Sequence, residues 1–223
     1  MTDIPSLVFD MDGVLIDSER VVLNSWITCG PKYGVQNAGD FCRSCMGTTP
    51  EETRQRLLDA YGTDFAYEDF MADCRTYYHK EFDRTGTPIK AHVRDAITGL
   101  HALGCKLAVA SSTKEAIVRR ELDAVGILPY FSVVIGGDRL SRSKPAPDIY
   151  LLACQRLGVD PHTAYAIEDS HNGIRAAYRA GMMPIMIPDQ QPVTEEMTQL
   201  CRQIFADAEQ LLAYIRPQLS SQA

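Results

Sequence analysis

Apolar residues fall into two rhythms along this chain, and the switch between them marks its elements. Leu7-Val8-Phe9 and Leu107-Ala108-Val109-Ala110 are apolar without alternation, as expected of central parallel strands covered on both faces. From residue 93 onward, stretches with helical spacing alternate with short strand-like runs. The pattern predicts helix Val93 to Leu103, strand Lys106 to Ala110, helix Lys114 to Val125, strand Val133 to Gly136 and helix Pro147 to Leu157. It continues with strand Ala164 to Ile167, helix Asn172 to Ala180 and strand Pro184 to Ile187. Such alternation is the signature of an α/β fold with a doubly wound parallel sheet. Gly104, Gly126, Gly158 and Gly181 stand where helix C-caps are wanted. A late strand near Gln203 to Phe205 and a helix Ala208 to Ile215 complete the core, with Pro217 to Ala223 expected to fray.

Between the first strand and this alternation the rhythm is helical only. Ser18 to Cys29 carries Val21, Val22, Ser25 and Trp26 at helical spacing. Pro50 to Tyr61 has Thr49 as its expected N-cap, proline at the first helical position and Glu51-Glu52 in the first turn. Tyr67 to Phe82 forms a third helix, with Phe70, Cys74, Tyr77 and Tyr78 on its apolar side. Three helices without a strand predict a small all-helical cap domain, residues 17–84, inserted after the first strand. The core then comprises residues 1–16 and 85–223, joined through linkers at Leu15 to Asp17 and Thr85 to Lys90, the second marked by Gly86 and Pro88.

Composition agrees with this division. A chain of 223 residues suits one substantial core and one satellite, and 45% hydrophobic with 23% charged residues is ordinary for a globular protein. No apolar run approaches a membrane span, and Met1-Thr2-Asp3-Ile4 lacks the basic start of a signal peptide, so a cytoplasmic location is expected. A formal charge of -7 offers no general attraction for nucleic acid or an anionic membrane. Seven cysteines, an odd number, read as reduced thiols; Cys42-Arg43-Ser44-Cys45 has no second pair to complete a zinc site, and the five histidines are scattered.

The chemistry lies in four short segments. Asp10-Met11-Asp12-Gly13-Val14 places two carboxylates two positions apart where the first strand runs out, the edge where open α/β sheets hold ligands. Two acids there are costly to desolvate without a cation, and a hard divalent ion is the natural partner. A calcium loop would need other residues at its third, sixth and twelfth positions than Val14, Asp17 and Leu23. The alternative is that Asp10 is a nucleophile, since carboxylates attack phosphorus to give an aspartyl-phosphate. Ser111-Ser112-Thr113 closes the second strand before a helix, an arrangement suited either to binding a phosphate or to ordinary N-capping. Lys144 stands in the proline-stiffened turn Ser143-Lys144-Pro145-Ala146-Pro147, as a fixed charge or a solvated surface lysine. Glu168-Asp169-Ser170 ends another strand with adjacent acids, which could cap the following helix but are better explained as ligands of the same ion as Asp10.

These four segments, in this order, resemble the signature motifs of the haloacid dehalogenase superfamily of phosphotransferases over nearly the whole chain. Within it the chain is most similar to the sugar-phosphate phosphatases and β-phosphoglucomutases with a helical cap. The resemblance implies a Rossmann-like core and Mg²⁺ held by Asp10, the Asp12 main-chain carbonyl and Asp169. It implies Asp10 as nucleophile and Asp12 as acid and then base. Ser111, Ser112 and Lys144 would bind the phosphoryl group, and Glu168 would orient a metal-bound water or Lys144. The partner implied is a small phosphorylated metabolite, with no nucleic acid or membrane, and a monomer or weak oligomer. The mutases of the group carry a histidine about where Val22 stands and basic residues near Met46-Gly47-Thr48-Thr49-Pro50; those charges are missing here. A mutase must hold a second phosphate there, so hydrolysis is favoured. Arg43, Arg54 or Arg75 could supply a clamp instead, which keeps the mutase open, and a catalytically quiet phosphometabolite-binding protein is the third reading.

Overall fold

The computed structural model describes residues 5–46 and 50–220; the Thr49 cap expected for the helix from Pro50 lies outside them. The chain divides into two compact units, Met1–Ile16 with Ile89–Ala223, and Asp17–Pro88.

The first unit begins with β1 (Ser6–Phe9), every residue of which is buried. The chain next passes through the second unit, built of α1 (Ser18–Cys29), α2 (Ala38–Cys45), α3 (Pro50–Tyr61) and α4 (Tyr67–Thr85). It re-enters the first unit as α5 (Val93–Ala102), β2 (Lys106–Ser111), α6 (Glu115–Ala124), β3 (Val133–Gly136), α7 (Asp148–Leu157) and β4 (Ala164–Glu168). There follow α8 (His171–Arg179), β5 (Met183–Met186), α9 (Glu195–Leu200), β6 (Gln203–Ile204) and α10 (Ala208–Ser220). The six strands form one sheet in the order β3-β2-β1-β4-β5-β6, with every neighbouring pair parallel. The expected α/β doubly wound architecture is borne out.

Parallel strands lack a wet face, and the apolar runs are explained by this. Val8, Ala108 and Ala166 meet Ile149, Tyr150 and Ala153 of α7 and Ala176 and Ala177 of α8 in one continuous buried cluster. Their chain neighbours Leu7, Phe9, Val109 and Ile167, on the opposite face by alternation, are equally buried. In register, Phe9 pairs with Val109 on one side and Ile167 on the other. The order of strands reverses between β1 and β4, so a crevice opens at their C-terminal ends, just where Asp10 and Glu168 stand.

The second unit has its own core, in which Leu57, Phe70, Trp26 and Cys42 are buried together. Trp26 and Phe70 meet edge to face at 5.0 Å. Helix α2 was not legible in the sequence. It holds only eight residues, includes a glycine, and exists because Ala38, Cys42 and Cys45, at helical spacing, bury against that core. The unit's second boundary lies at Pro88/Ile89, a correction to the expected 84/85. Helix α4 runs on to Thr85, and the returning chain then pairs with the outgoing one, Asp17 N–H donating to Pro88 O at 2.8 Å and Lys90 N–H to Leu15 O at 3.0 Å.

Two further differences lie near the C-terminus. The short helix α9, unforeseen, is capped by Thr194 and anchored by fully buried Met197 against Ile174 and Met186. Helix α10 passes through Pro217 instead of ending at Ile215. Proline costs that helix one main-chain bond, but Gln218 ties the turn by donating to Tyr214 O at 3.1 Å while accepting from the Tyr165 hydroxyl at 3.1 Å. All seven cysteines are free thiols. No helix among the described residues is long and apolar enough to cross a membrane.

Candidate active site

The strand ends of β1, β2 and β4 carry three of the sequence segments to one place, and the turn before α7 brings the fourth. Asp10 follows β1 directly, its N–H donating to Ile167 O at 2.9 Å, and is 7% exposed. The chain then turns tightly, Leu15 and Ile16 N–H both donating to Met11 O at 2.9 Å. Gly13 in this turn has φ +80°, and a Cβ there would run into the Asp169 carboxylate. Glycine is required twice over at this position, by conformation and by space.

Lys144 reaches the site from a loop pinned at both ends: Ala146 N–H donates to Ser143 O at 2.9 Å, and Arg179 donates to Pro145 O at 2.9 Å. Its ammonium donates to Asp10 Oδ1 at 2.5 Å, Glu168 Oε1 at 2.6 Å and Ala110 O at 3.2 Å. Three protons have three acceptors, so the group is fixed in direction as well as place. Burial opposes its charge, but the Asp10 and Glu168 carboxylates outweigh burial and hold Lys144 protonated above its ordinary range.

Glu168 is fully buried and accepts from five donors. Lys144 and the Tyr150 hydroxyl, both at 2.6 Å, share Oε1; Asp169 N–H, Ser170 N–H and Ser170 Oγ share Oε2 at 3.2, 3.3 and 3.0 Å. A carboxylate offers about four lone-pair directions, so this one has no capacity left for a metal and serves to hold Lys144. Ser170 also caps α8 by accepting from Gly173 N–H at 3.1 Å. A side chain at Gly173 would collide with the Glu168 carboxyl group.

Asp12 faces the end of β2. Its Oδ2 accepts from Thr113 Oγ1 at 2.9 Å and, more weakly, from Ser111 Oγ at 3.4 Å. Ser111 is fully buried and in turn accepts from Thr113 N–H at 3.0 Å. Ser112, between them, is exposed and does not join this network; it borders a small hollow of about 50 Å³ shared with Lys144, Gly137 and Ile149. Alternation along an extended chain explains the difference, since residues 111 and 113 share a side and 112 takes the other. The first N–H of α6 is not free for an anion either: Glu115 N–H donates to Asp138 Oδ1 at 2.8 Å.

Two residues of this network were missed in the sequence. Thr113 could have been found by that same alternation. Tyr150 could not, because an apolar-looking position on α7 reads as core until its hydroxyl is seen against Glu168.

The electrostatic balance is lopsided. Asp10, Asp12, Glu168 and Asp169 gather about one ammonium, that of Lys144. Burial, with Glu168 and Asp12 adding repulsion against the opposing pull of Lys144, pushes the Asp10 carboxyl up to about 8. Ligand oxygens of Asp10, Glu168 and Asp169 lie within 4.8 Å of one another. With Glu168 saturated, Asp10 and Asp169 remain as hard oxygen donors beside the cradle kept open at Gly13. Such a donor set and surplus of negative charge fit a small divalent cation. Elsewhere on this unit, His92 brings a ligand atom within the same range of Asp207 and Glu209 at the surface, a grouping not visible from sequence spacing.

Comparison with known proteins bears on this geometry. The profile of the haloacid dehalogenase-like hydrolases matches residues 7–187. A phosphorylated carbohydrates phosphatase of Thermotoga maritima is 32% identical over 180 residues, 79% of this chain and 82% of that protein. The phosphoglycolate phosphatase of Escherichia coli K12 is 31% identical over 204 residues, 80% of this chain and 79% of that protein. In fold, the structure of β-phosphoglucomutase from Clostridium difficile superimposes with a TM-score of 0.75 over 98% of both chains, at 22% identity.

Proposed function

The chain belongs to the haloacid dehalogenase-like hydrolases and is a phosphatase; on that premise we propose that it hydrolyses a small phosphorylated sugar, polyol or glycolate-like metabolite through a phosphate ester of Asp10. The observation that carries this reading is the Lys144 ammonium 2.5 Å from Asp10 Oδ1, with the Asp12 carboxylate across the same strand ends on Thr113 and Ser111.

A phosphate monoester is a dianion, and a bare carboxylate cannot approach it. Lys144 supplies one fixed positive charge at the attacking oxygen. Mg²⁺, held by Asp10, the Asp12 main-chain carbonyl and Asp169, would supply the remaining charge neutralisation at the phosphoryl oxygens. Ser111, whose hydroxyl lies beside the Asp12 carboxylate, helps orient the phosphoryl group, whereas exposed Ser112, expected to share that task, stands on the other side of the chain. Asp10 attacks phosphorus as the ester P–O bond breaks, and Asp12 delivers its proton to the departing alcohol oxygen. Water then attacks the same phosphorus; Asp12 takes its proton, the Asp10–phosphorus bond breaks, and inorganic phosphate leaves. The hydroxyls of Thr113 and Ser111 keep Asp12 aimed through both halves.

Choice of substrate is assigned to the inserted helical unit. There Val22, Met46 and Pro50, the positions at which the resembling mutases carry charge, border a common apolar hollow of about 210 Å³. Arg43 is engaged with Asp40 at 2.9 Å, and Arg54 lies over the Tyr67 ring at 5.8 Å. An apolar lining is a poor seat for a second phosphate, which supports hydrolysis over isomerisation.

The test uses Mg²⁺-loaded enzyme and a panel of phosphorylated sugars, polyols and phosphoglycolate, with phosphate release as readout. Release should require Mg²⁺, stop on chelation and vanish in Asp10→Asn. Conversion of β-glucose 1-phosphate to glucose 6-phosphate faster than phosphate release would replace the hydrolase by a mutase. Turnover in Asp10→Asn would remove Asp10 as nucleophile.

A further inference from the structure

Among the described residues Tyr150 is the one fully buried tyrosine side chain in direct contact with the proposed machinery, and nothing about its packing calls for a hydroxyl. It lies in the cluster of Val8, Ala108, Ala166, Ile149 and Ala153, where a phenylalanine would fill the same volume. A buried tyrosine oxygen is costly unless it is bonded. Here it donates to Glu168 Oε1 at 2.6 Å, while the ring lies beneath the Lys144 ammonium, 5.2 Å from nitrogen to centroid. We propose that Tyr150 is a positioning residue for phosphoryl transfer, its hydroxyl setting how Lys144 is shared between Glu168 and the nucleophile Asp10. This rests on the reading of Asp10 as nucleophile given above.

The argument is one of competition for a single ammonium. Lys144 is held at nearly equal distances by Asp10 Oδ1 and Glu168 Oε1, 2.5 and 2.6 Å. Those bonds are balanced because Glu168 Oε1 already accepts a second strong donor, the tyrosine hydroxyl, which spreads its negative charge. Burial and then the neighbouring Glu168 and Asp10 charges hold that hydroxyl protonated, well above its ordinary range, so it stays a donor throughout. Without it, Oε1, on a side chain fully buried from solvent, has one donor fewer. Lys144 is then drawn toward Glu168 and away from the nucleophile. The three donors on Oε2 all come from residues 169 and 170 of the adjoining turn and cannot swing over to compensate. Misplacement of a charged group at the reacting centre is felt in the chemical step, where small displacements cost large factors.

Tyr150→Phe isolates the effect, because it removes one oxygen and keeps the ring under Lys144. With an aryl phosphate and saturating Mg²⁺, kcat should fall about tenfold while KM stays within about twofold. A merely structural role is separated by a double-mutant cycle with Glu168→Gln, whose Oε1 no longer carries the charge for which the tyrosine and lysine compete. In that background Tyr150→Phe should have little further effect on kcat. An unchanged kcat in Tyr150→Phe overturns the inference, as does a loss that multiplies undiminished with Glu168→Gln or appears only in KM. An active Asp10→Asn would bring down the underlying mechanism instead, whereas a silent Tyr150→Phe beside an inert Asp10→Asn brings down only the role of Tyr150.

Discussion

Replacing the proposed nucleophile should make the metal-free protein more stable. Asp10 is 7% exposed, and its carboxyl is pushed up to about 8 by burial, with repulsion from Glu168 and Asp12 opposed by Lys144. Unfolded, the same group titrates near 4. Between about pH 4 and 8 the folded state therefore binds this proton more readily than the unfolded chain, and its contribution makes stability fall as pH rises through that window. At pH 8 the distance between titration near 4 unfolded and about 8 folded corresponds to an upper bound of about 5 kcal/mol. Relaxation of the surroundings and sharing of protons within the cluster reduce this to about 2–3 kcal/mol. Asp10→Asn keeps the shape and an oxygen for Lys144 while removing the charge. The variant should melt about 5–10 °C above wild type in EDTA at pH 8, taking about 2–4 °C per kcal/mol for a chain of this size. At pH 5 the difference should shrink, and Mg²⁺ should raise the wild-type midpoint more than the variant's. Thermal melts of the two proteins at pH 5 and pH 8, with EDTA or Mg²⁺, measure all of this, and their difference cancels the histidines. A variant no more stable than wild type at pH 8, or a gap independent of pH, would refute the reasoning.

Three further outcomes follow from the same geometry. Lys144→Met leaves buried Asp10 and Glu168 without their cation and should cost about 3–5 kcal/mol in urea denaturation, less at pH 5 than at pH 8; a loss under about 1 kcal/mol would mean the pair is not buried in solution. Thr113→Val removes the 2.9 Å bond to Asp12 and should lower kcat about tenfold with KM little changed; equal activity would show that Asp12 is aimed by something else. Gly173→Ala, helix-favouring on propensity alone, should instead destabilise by about 2–4 kcal/mol because its methyl group meets the Glu168 carboxylate; a more stable variant would contradict the packing of α8 on that side chain.

Much of the core was legible because its information is local. An unbroken apolar run such as Leu7-Val8-Phe9 is tolerable only in a strand covered on both faces, so the run predicts strand, sheet type and the edge at which Asp10 must stand. The termini of β3 and α1 were read to the residue, and the glycine at 158, φ 67°, ends α7 as expected of a left-handed C-cap. What failed was marginal on propensity. Helix α2 and helix α9 are eight and six residues long and are stabilised by burying Cys42 or Met197 against partners distant in sequence. The passage of α10 through Pro217 likewise depends on Tyr165, far away in the chain.

The same division runs through the site. The sequence by itself determined which acids, hydroxyls and lysine the protein owns and, through the alternation of strand-like and helical stretches, that Asp10, Ser111 and Glu168 end at one edge of a sheet, while the turn holding Lys144 stayed open between a fixed and a solvated charge. It could not say that Glu168 holds Lys144 with one oxygen and spends the other on the turn at residues 169 and 170, that Thr113 engages Asp12 while Ser112 stays out of that network, or that Tyr150 is more than core. Those assignments depend on distances of 2.5–3.4 Å between residues up to 134 positions apart. Side-chain type and period are properties of a segment, whereas the sharing of one proton donor among competing acceptors exists only once the strands are paired and water is gone.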